Sequence, residues 1–203
     1  MSIEQIPVRQ VRAVYDDTTI RVYQAYNNAI ADSALTTGTF VAPPFKMSRM
    51  TWIKPSFLWM MYRCGWARKD EGQVRVLAID ITREGFAWAL ANSCSSHPKG
   101  LSRSEARELM DAKPVRVQWD PERDLHHRPL PHRSIQIGLR GEAVERYVGE
   151  WVTGIEDVTE LAIELGDLVA RGNEQAALAK LPPEQPYTLS PEIASIVGVE
   201  SGG

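Results

Sequence analysis

VRVLAIDITREGFAWALAN, residues Val74 to Asn92, decides the fold. Its first eight residues are apolar at every position but Arg75 and Asp80 and rich in β-branched side chains. A short run of that kind reads as a strand covered on both faces. Thr82 then stands where an N-cap belongs, and Arg83 to Asn92 reads as a helix. Toward the N-terminus, TIRVYQAY (Thr19 to Tyr26) is a second strand, with Ile20, Val22, Gln24 and Tyr26 on one face and Arg21, Tyr23 and Ala25 on the other. Asn27 caps a helix from Asn28 to Thr36, and Gly38 stops it. Arg49 to Ile53 is a short strand. Pro55 opens a helix that runs to Cys64 and ends at Gly65; it is apolar nearly all round, so Phe57, Leu58 and Met61 are expected in the core.

Toward the C-terminus, Ser102 and Glu105 have capping-box spacing for a polar helix to Met110. Pro114–Asp120 and Ser134–Leu139 read as strands, separated by a proline- and histidine-rich loop, Pro121 to His132. Helices are expected over Gly141–Trp151, near Asp157–Arg171 and over Glu174–Leu181. These elements predict a single α+β domain over residues 11–181, with a central mixed sheet and C-terminal helices. Residues 1–10 form a loose lead-in. Residues 182–203 form a Pro-rich, weakly ordered tail, with no stable packing from Ser190 onward.

With 203 residues, 43% of them hydrophobic and 24% charged, the chain has the composition of a globular domain. Its longest apolar run, Phe57 to Tyr62, is too short to cross a bilayer, and the N-terminus shows no apolar signal segment. Cys64 and Cys94 are too few for a disulfide framework and lack zinc-type companions, so no metal is expected and the chain reads as cytoplasmic. Phosphate-loop, dinucleotide-fingerprint, nucleophile-elbow, zincin and CxxC motifs are all missing. Residues 1–140 carry a net charge of +6 and the remainder −9. That asymmetry fits either an anion site in the first part or mutual attraction of the two parts.

Three polar clusters are candidates for chemistry. The first is Arg21, Tyr23, Gln24, Tyr26 and Asn27, at a strand end before a helix N-terminus, where anions are favoured. Its structural alternative is an aromatic pair and an ordinary cap. The second is Arg49, Thr51, Trp52, Lys54 and Arg63, which suits a nucleotide: phosphate on the cations and a ring stacked on Trp52. Its alternative is a core tryptophan among solvated cations. The third lies around the histidine-rich loop. There Glu122 or His132 suits acid–base work, and Arg123, Arg133 and Gln136 suit ligand binding. Its alternative is a salt-bridged surface loop. Together the sequence predicts one cleft for a small anionic, nucleotide-like ligand, with Arg49, Lys54 and Arg133 on phosphate and Tyr26 and Trp52 about a ring. A nucleic-acid-binding module and a protein-interaction domain without catalysis are the alternatives, and the oligomeric state stays open.

RAVYDDTTIRVYQAYN, RMTWIKPSFLWMMYRCGW, VLAIDITREGF, VQWDPERDLHHRPLPHRSIQIGL and WVTGIEDVT carry a collinear resemblance, over residues 9 to 165, to the bacterial domain-of-unknown-function 4291 family. That family supplies no reaction. The stretch VYQAYNNAIADSALTTGTF followed by VRVLAIDI is similar to the first half of ADP-ribosyltransferase-like domains. That weaker resemblance implies NAD in a split-sheet cleft and a nucleotide- or NAD-dependent transferase activity. It implies a first-strand His or Arg, for which Arg21 is the nearest residue, and a late-strand Glu, for which Glu122 is.

Overall fold

A computed structural model describes residues 6–98 and 100–199. Strands β2 (Thr19–Tyr26), β4 (Arg75–Thr82) and β8 (Val152–Asp157) form an antiparallel sheet with β4 in the middle. The unbroken hydrophobicity of β4 follows from that place. Leu77, Ile79 and Ile81 enter the larger core beside Ile20 and Val22. Val76 and Ala78 enter a second core with Tyr23, the helix α2 (Phe57–Cys64) and the helix α6 (Thr159–Ala170). Each large apolar side chain buried in this way contributes about 1.5–3 kcal/mol relative to exposure.

The second sheet runs β3 (Thr51–Ile53), β7 (Pro129–Leu139), β6 (Val115–Arg123), β5 (Ser93–Ser95), with β5 and β6 parallel and the rest antiparallel. Period-two alternation divides its faces. Val115, Val117, Ile135, Ile137 and Leu139 go to the larger core. Gln118 stands opposite Gln136, and Trp52 opposite Gly138, on the other face. The two sheets meet at one backbone pair, where Tyr23 N donates to the Lys54 carbonyl at 2.7 Å.

Helix boundaries follow local chemistry. Asn27 Oδ1 accepts from Ile30 N to start α1 (Asn28–Thr37), and Thr82 caps α3 (Arg83–Ala91). Ser102 and Glu105 form the expected capping box of α4 (Arg103–Ala112). Ser56, rather than Pro55, opens α2 by accepting from Trp59 N, and Gly65, at φ 58°, ends it in a left-handed turn that L side chains avoid. Within α2, Phe57 and Met61 are fully buried, whereas Leu58 is half-buried at the edge of the second core.

Several expectations are corrected. The loop expected over Pro121–His132 is mostly an extended β6–β7 hairpin. Pro121 sits at a register shift, and the outer part of β7 has no β3 neighbour, so its prolines remove no ladder bond. A short strand, β5, follows α3 directly. The helix expected over Gly141–Trp151 is α5 (Glu142–Arg146) followed by a wider turn, Tyr147–Trp151, and β8 fills the stretch between it and the helical region expected near Asp157–Arg171. Residues 182–199 are not a loose tail. β9 (Gln185–Pro186) pairs with β1 (Arg12–Ala13), and α8 (Pro191–Val197) buries Val197 in the larger core. Trp119 Nε1 donates to the Val197 carbonyl at 2.8 Å. The few apolar residues of this segment are spaced to dock, which sparse composition alone concealed. In the lead-in, Arg133 N donates to the Val8 carbonyl, so part of it is also tied down. Residues 1–5 and the terminal Ser-Gly-Gly lie outside the described residues.

Candidate functional site

Where the sheets part beyond the Tyr23–Lys54 pair, a cavity of about 540 Å³ opens. Small-molecule sites commonly have volumes of this order. The last residues of β2 and the first turn of α1 bring Tyr26 and Asn27 to it. β3 brings Trp52, and the turn into α2 brings Lys54. Gln118 and Gln136 line it from the β6–β7 pair. Arg49 and Arg63 stand exposed at its rim, while Lys54 is only 6% exposed. Among the described residues no carboxylate lines the cavity. The positive end of the α1 dipole adds to the same field.

The polar groups of the wall are ordered in different ways. Gln24 is satisfied at both ends: its Nε2 donates to the Trp52 carbonyl at 3.1 Å, and its Oε1 accepts from Tyr147 at 2.7 Å. Gln118 and Gln136 each donate from Nε2 to Asp120, at 2.9 and 2.6 Å. A carboxylate fixes the orientation of both amides, because it accepts only, so their carbonyl oxygens are left as acceptors. Trp52 lies against Gly138, where an added Cβ would fall 3.0 Å from the indole. Tyr26 packs on Phe40 and Phe45; burial pushes its phenol pKa up, with Arg49 pulling the other way.

Lys54 is the anomaly of the site. Nζ reaches one acceptor, the Trp52 carbonyl at 3.3 Å, already used by Gln24. It lies 5.4 Å from the centroid of the Trp59 ring and forms no ion pair within 4.0 Å among the described residues. Burial, reinforced by Arg63, holds its pKa down at about 7, against weaker pulls from Cys64 and Asp120.

The sequence-predicted residues divide accordingly. Tyr26, Asn27, Arg49, Trp52, Lys54 and Gln136 share the cavity. The others do not converge with them, so the single cleft expected from sequence is corrected. Arg21 lies on the far face of β2, paired with Asp80 at 2.9 Å and Glu156 at 3.1 Å. Tyr23 points into the second core against Phe57, on the opposite face of β2 from Gln24 and Tyr26. Arg133 donates to the Trp119 carbonyl at 3.0 Å beneath a different surface. Glu122, Arg123 and His132 line a separate cavity of about 220 Å³, with Arg12 and Glu184. There burial is the main cause of a raised Glu122 pKa, a lowered His132 pKa and a Glu184 carboxyl pushed up to about 8. The Arg123 guanidinium lies 3.9 Å from the centroid of the Tyr62 ring.

Sequence reasoning passed over Gln118 and Glu184. The hairpin register would have placed Gln118 opposite Gln136. Nothing local marks Glu184, which reaches Phe57 N at 2.7 Å from more than a hundred residues away. Among the described residues no group of three or more His, Cys, Asp or Glu is placed to hold a metal ion, and no helix is long and apolar enough to cross a membrane.

No curated protein matches the chain. The similarity to ADP-ribosyltransferase-like domains gains no support from comparison with known proteins. A family model does match, over residues 10–187, spanning both sheets and both cavities, and the chain therefore belongs to the DUF4291 family, described as a domain of unknown function.

Proposed function

We propose that the protein binds a small anionic, nucleotide-like ligand in the Lys54 cavity. One observation carries this reading: a buried lysine without a carboxylate partner stands in a cavity whose rim adds Arg49 and Arg63 and whose lining has no acid among the described residues. An uncompensated buried cation is costly, and an incoming phosphate or carboxylate supplies the missing partner. Trp52 and Tyr26 offer faces for a ring, and the Gln118 and Gln136 carbonyls offer acceptors for its hydroxyl or amino groups. NAD is one ligand to test, on the strength of the weaker sequence resemblance.

The test is calorimetry with NAD, ADP, pyrophosphate and a short RNA, each at two salt concentrations. A hydrogen bond to a charged group is worth roughly 1.5–3 kcal/mol. Arg49→Ala should therefore weaken binding of the best ligand about tenfold or more, whereas Arg133→Ala should leave it unchanged. No binding by any of the four, or equal losses in the two variants, refutes the reading. Binding of RNA alone, with a steep loss at high salt, would favour a nucleic-acid module instead.

A further inference from the structure

An ammonium has three donors to satisfy. Lys54 Nζ has one acceptor within reach, shared with Gln24, and no ion pair among the described residues. The side chain is nevertheless among the most buried polar ones in the molecule, at 6% exposure, and it borders the cavity. Protonated, it would leave two donors unused and a charge without an ion-pair partner among the described residues, next to Arg63. As a neutral amine it keeps a lone pair and avoids both costs. Burial lowers its proton affinity in the same sense. A desolvated lysine beside other cations is the form in which this side chain becomes a nucleophile toward carbonyl carbon.

We propose that Lys54 is a carbonyl-reactive amine and that the cavity takes an anionic aldehyde or ketone, its charge held by Arg49 and Arg63 while Nζ condenses with the carbonyl. This inference rests on the anion-binding reading of the same cavity and narrows it. A phosphorylated sugar in its open form satisfies both. In the step, the Nζ lone pair forms a bond to the carbonyl carbon and the carbon–oxygen π pair moves to oxygen. The two amine protons are transferred to that oxygen, which leaves as water. One proton is taken up from solvent, so the product is a cationic imine. The charge that Lys54 avoids in the free protein then faces the bound anion.

The experiment uses the full chain at neutral pH with glyoxylate, an anionic aldehyde, and cyanoborohydride, which reduces any imine to a stable amine. Peptide mass mapping then locates the adduct. Lys54 should be labelled at least tenfold faster than the exposed Lys46, Lys69 and Lys180. Lys54→Arg should lose that adduct. Label spread evenly over the exposed lysines, with Lys54 slower than they are, overturns the proposal, and it does so in the native chain whether or not any variant folds. Propanal, a neutral aldehyde, separates this claim from the one beneath it. Preference for Lys54 with glyoxylate, reduced by Arg49→Ala, and weaker preference with propanal support both. Equal preference with the two aldehydes supports the reactive amine and refutes the anion site.

Discussion

Three residues, Lys54 to Ser56, carry the chain from β3 into α2, and the two sides of that turn are opposite in chemistry. On one side lies the larger cavity, with Lys54 and two rim arginines and no carboxylate among the described residues. On the other lies the smaller one, where Glu122 and Glu184 stand near Arg12 and His132. Burial is the first cause of the shift on both sides, but it acts with opposite sign. It pushes the lysine down to about 7 and Glu184 up to about 8. Near neutral pH Glu184 therefore keeps most of its proton and about half of Lys54 has lost its own, so the surroundings of the turn carry less charge than the side chains suggest. Ionisable side chains are held there at a cost to stability, which is the usual mark of a functional rather than a structural role.

The largest expected effect comes from dismantling one side. Truncation after Leu181 removes Glu184, which holds the first amide of α2, and takes Tyr187 and Val197 out of the core. Two such side chains at about 1.5–3 kcal/mol each predict a loss of roughly 4 kcal/mol, or a midpoint lower by about 10 °C. Thermal denaturation followed by circular dichroism reads this directly. A midpoint within a degree or two of the full chain would show that the C-terminal segment does not dock.

Removing the cation on the other side should act in the opposite direction. Lys54 has a folded-state pKa of about 7 against an ordinary 10.5. Between those values the unfolded chain binds the extra proton, so stability gains from this group as pH rises from 7 to 10.5, and the full penalty stands below 7. Lys54→Met should then stabilise by about 2 kcal/mol or more at pH 7, near 5 °C in midpoint, and should abolish anion binding. Its advantage should shrink toward pH 10. A variant less stable than the parent at pH 7 would mean that the lysine has a partner.

How much of this was legible in the sequence depends on range. β4, β2 and the helix caps at Asn27, Thr82 and Ser102 were readable, because alternation and capping are decided within a few residues. Tyr26, Trp52 and Lys54 could be grouped because each stands at a strand end or helix start. Arg133 could not be excluded, since the register shift at Pro121 and the Val8 contact fix its direction and neither shows in local pattern. Tyr23 was misplaced even though its face was read correctly, because sequence does not say which face of β2 meets the cavity. The docked tail and the Glu184 contact are long-range facts of packing.

A smaller effect sharpens the cavity side alone. A Cβ on Gly138 would fall 2.9 Å from Met50 Sδ and 3.0 Å from the Trp52 ring, so one of them must shift. Overpacking of this kind costs about 1–3 kcal/mol, and replacing a strand glycine returns about 0.5–1 kcal/mol. Gly138→Ala should lower stability by about 1–2 kcal/mol by denaturant titration and weaken ligand binding several-fold. Full stability with unchanged affinity would show that the indole is not held in place by this contact.

The smallest expected effect tests the acidic side without dismantling it. Glu184 is partly exposed, and its Oε1 accepts from Phe57 N at 2.7 Å. Its pKa is raised from 4.5 to about 8, chiefly by burial, with Glu122 adding to the rise and the Phe57 amide and Arg12 opposing it. A carboxyl raised in this way keeps its proton in the folded state after the unfolded chain has lost it. Stability contributed by this group therefore falls as pH climbs from 4.5 to 8. Glu184→Gln retains an acceptor for the amide and removes the ionisation. At pH 4.5 the variant and parent should be equally stable. At pH 8 the variant should be the more stable by about 1 kcal/mol, a figure already reduced for solvent screening of a partly exposed group. Equilibrium unfolding in urea at the two pH values decides it. If the variant is weaker at pH 8, the carboxylate is bound there in its charged form, and Arg12 rather than burial governs that side of the turn.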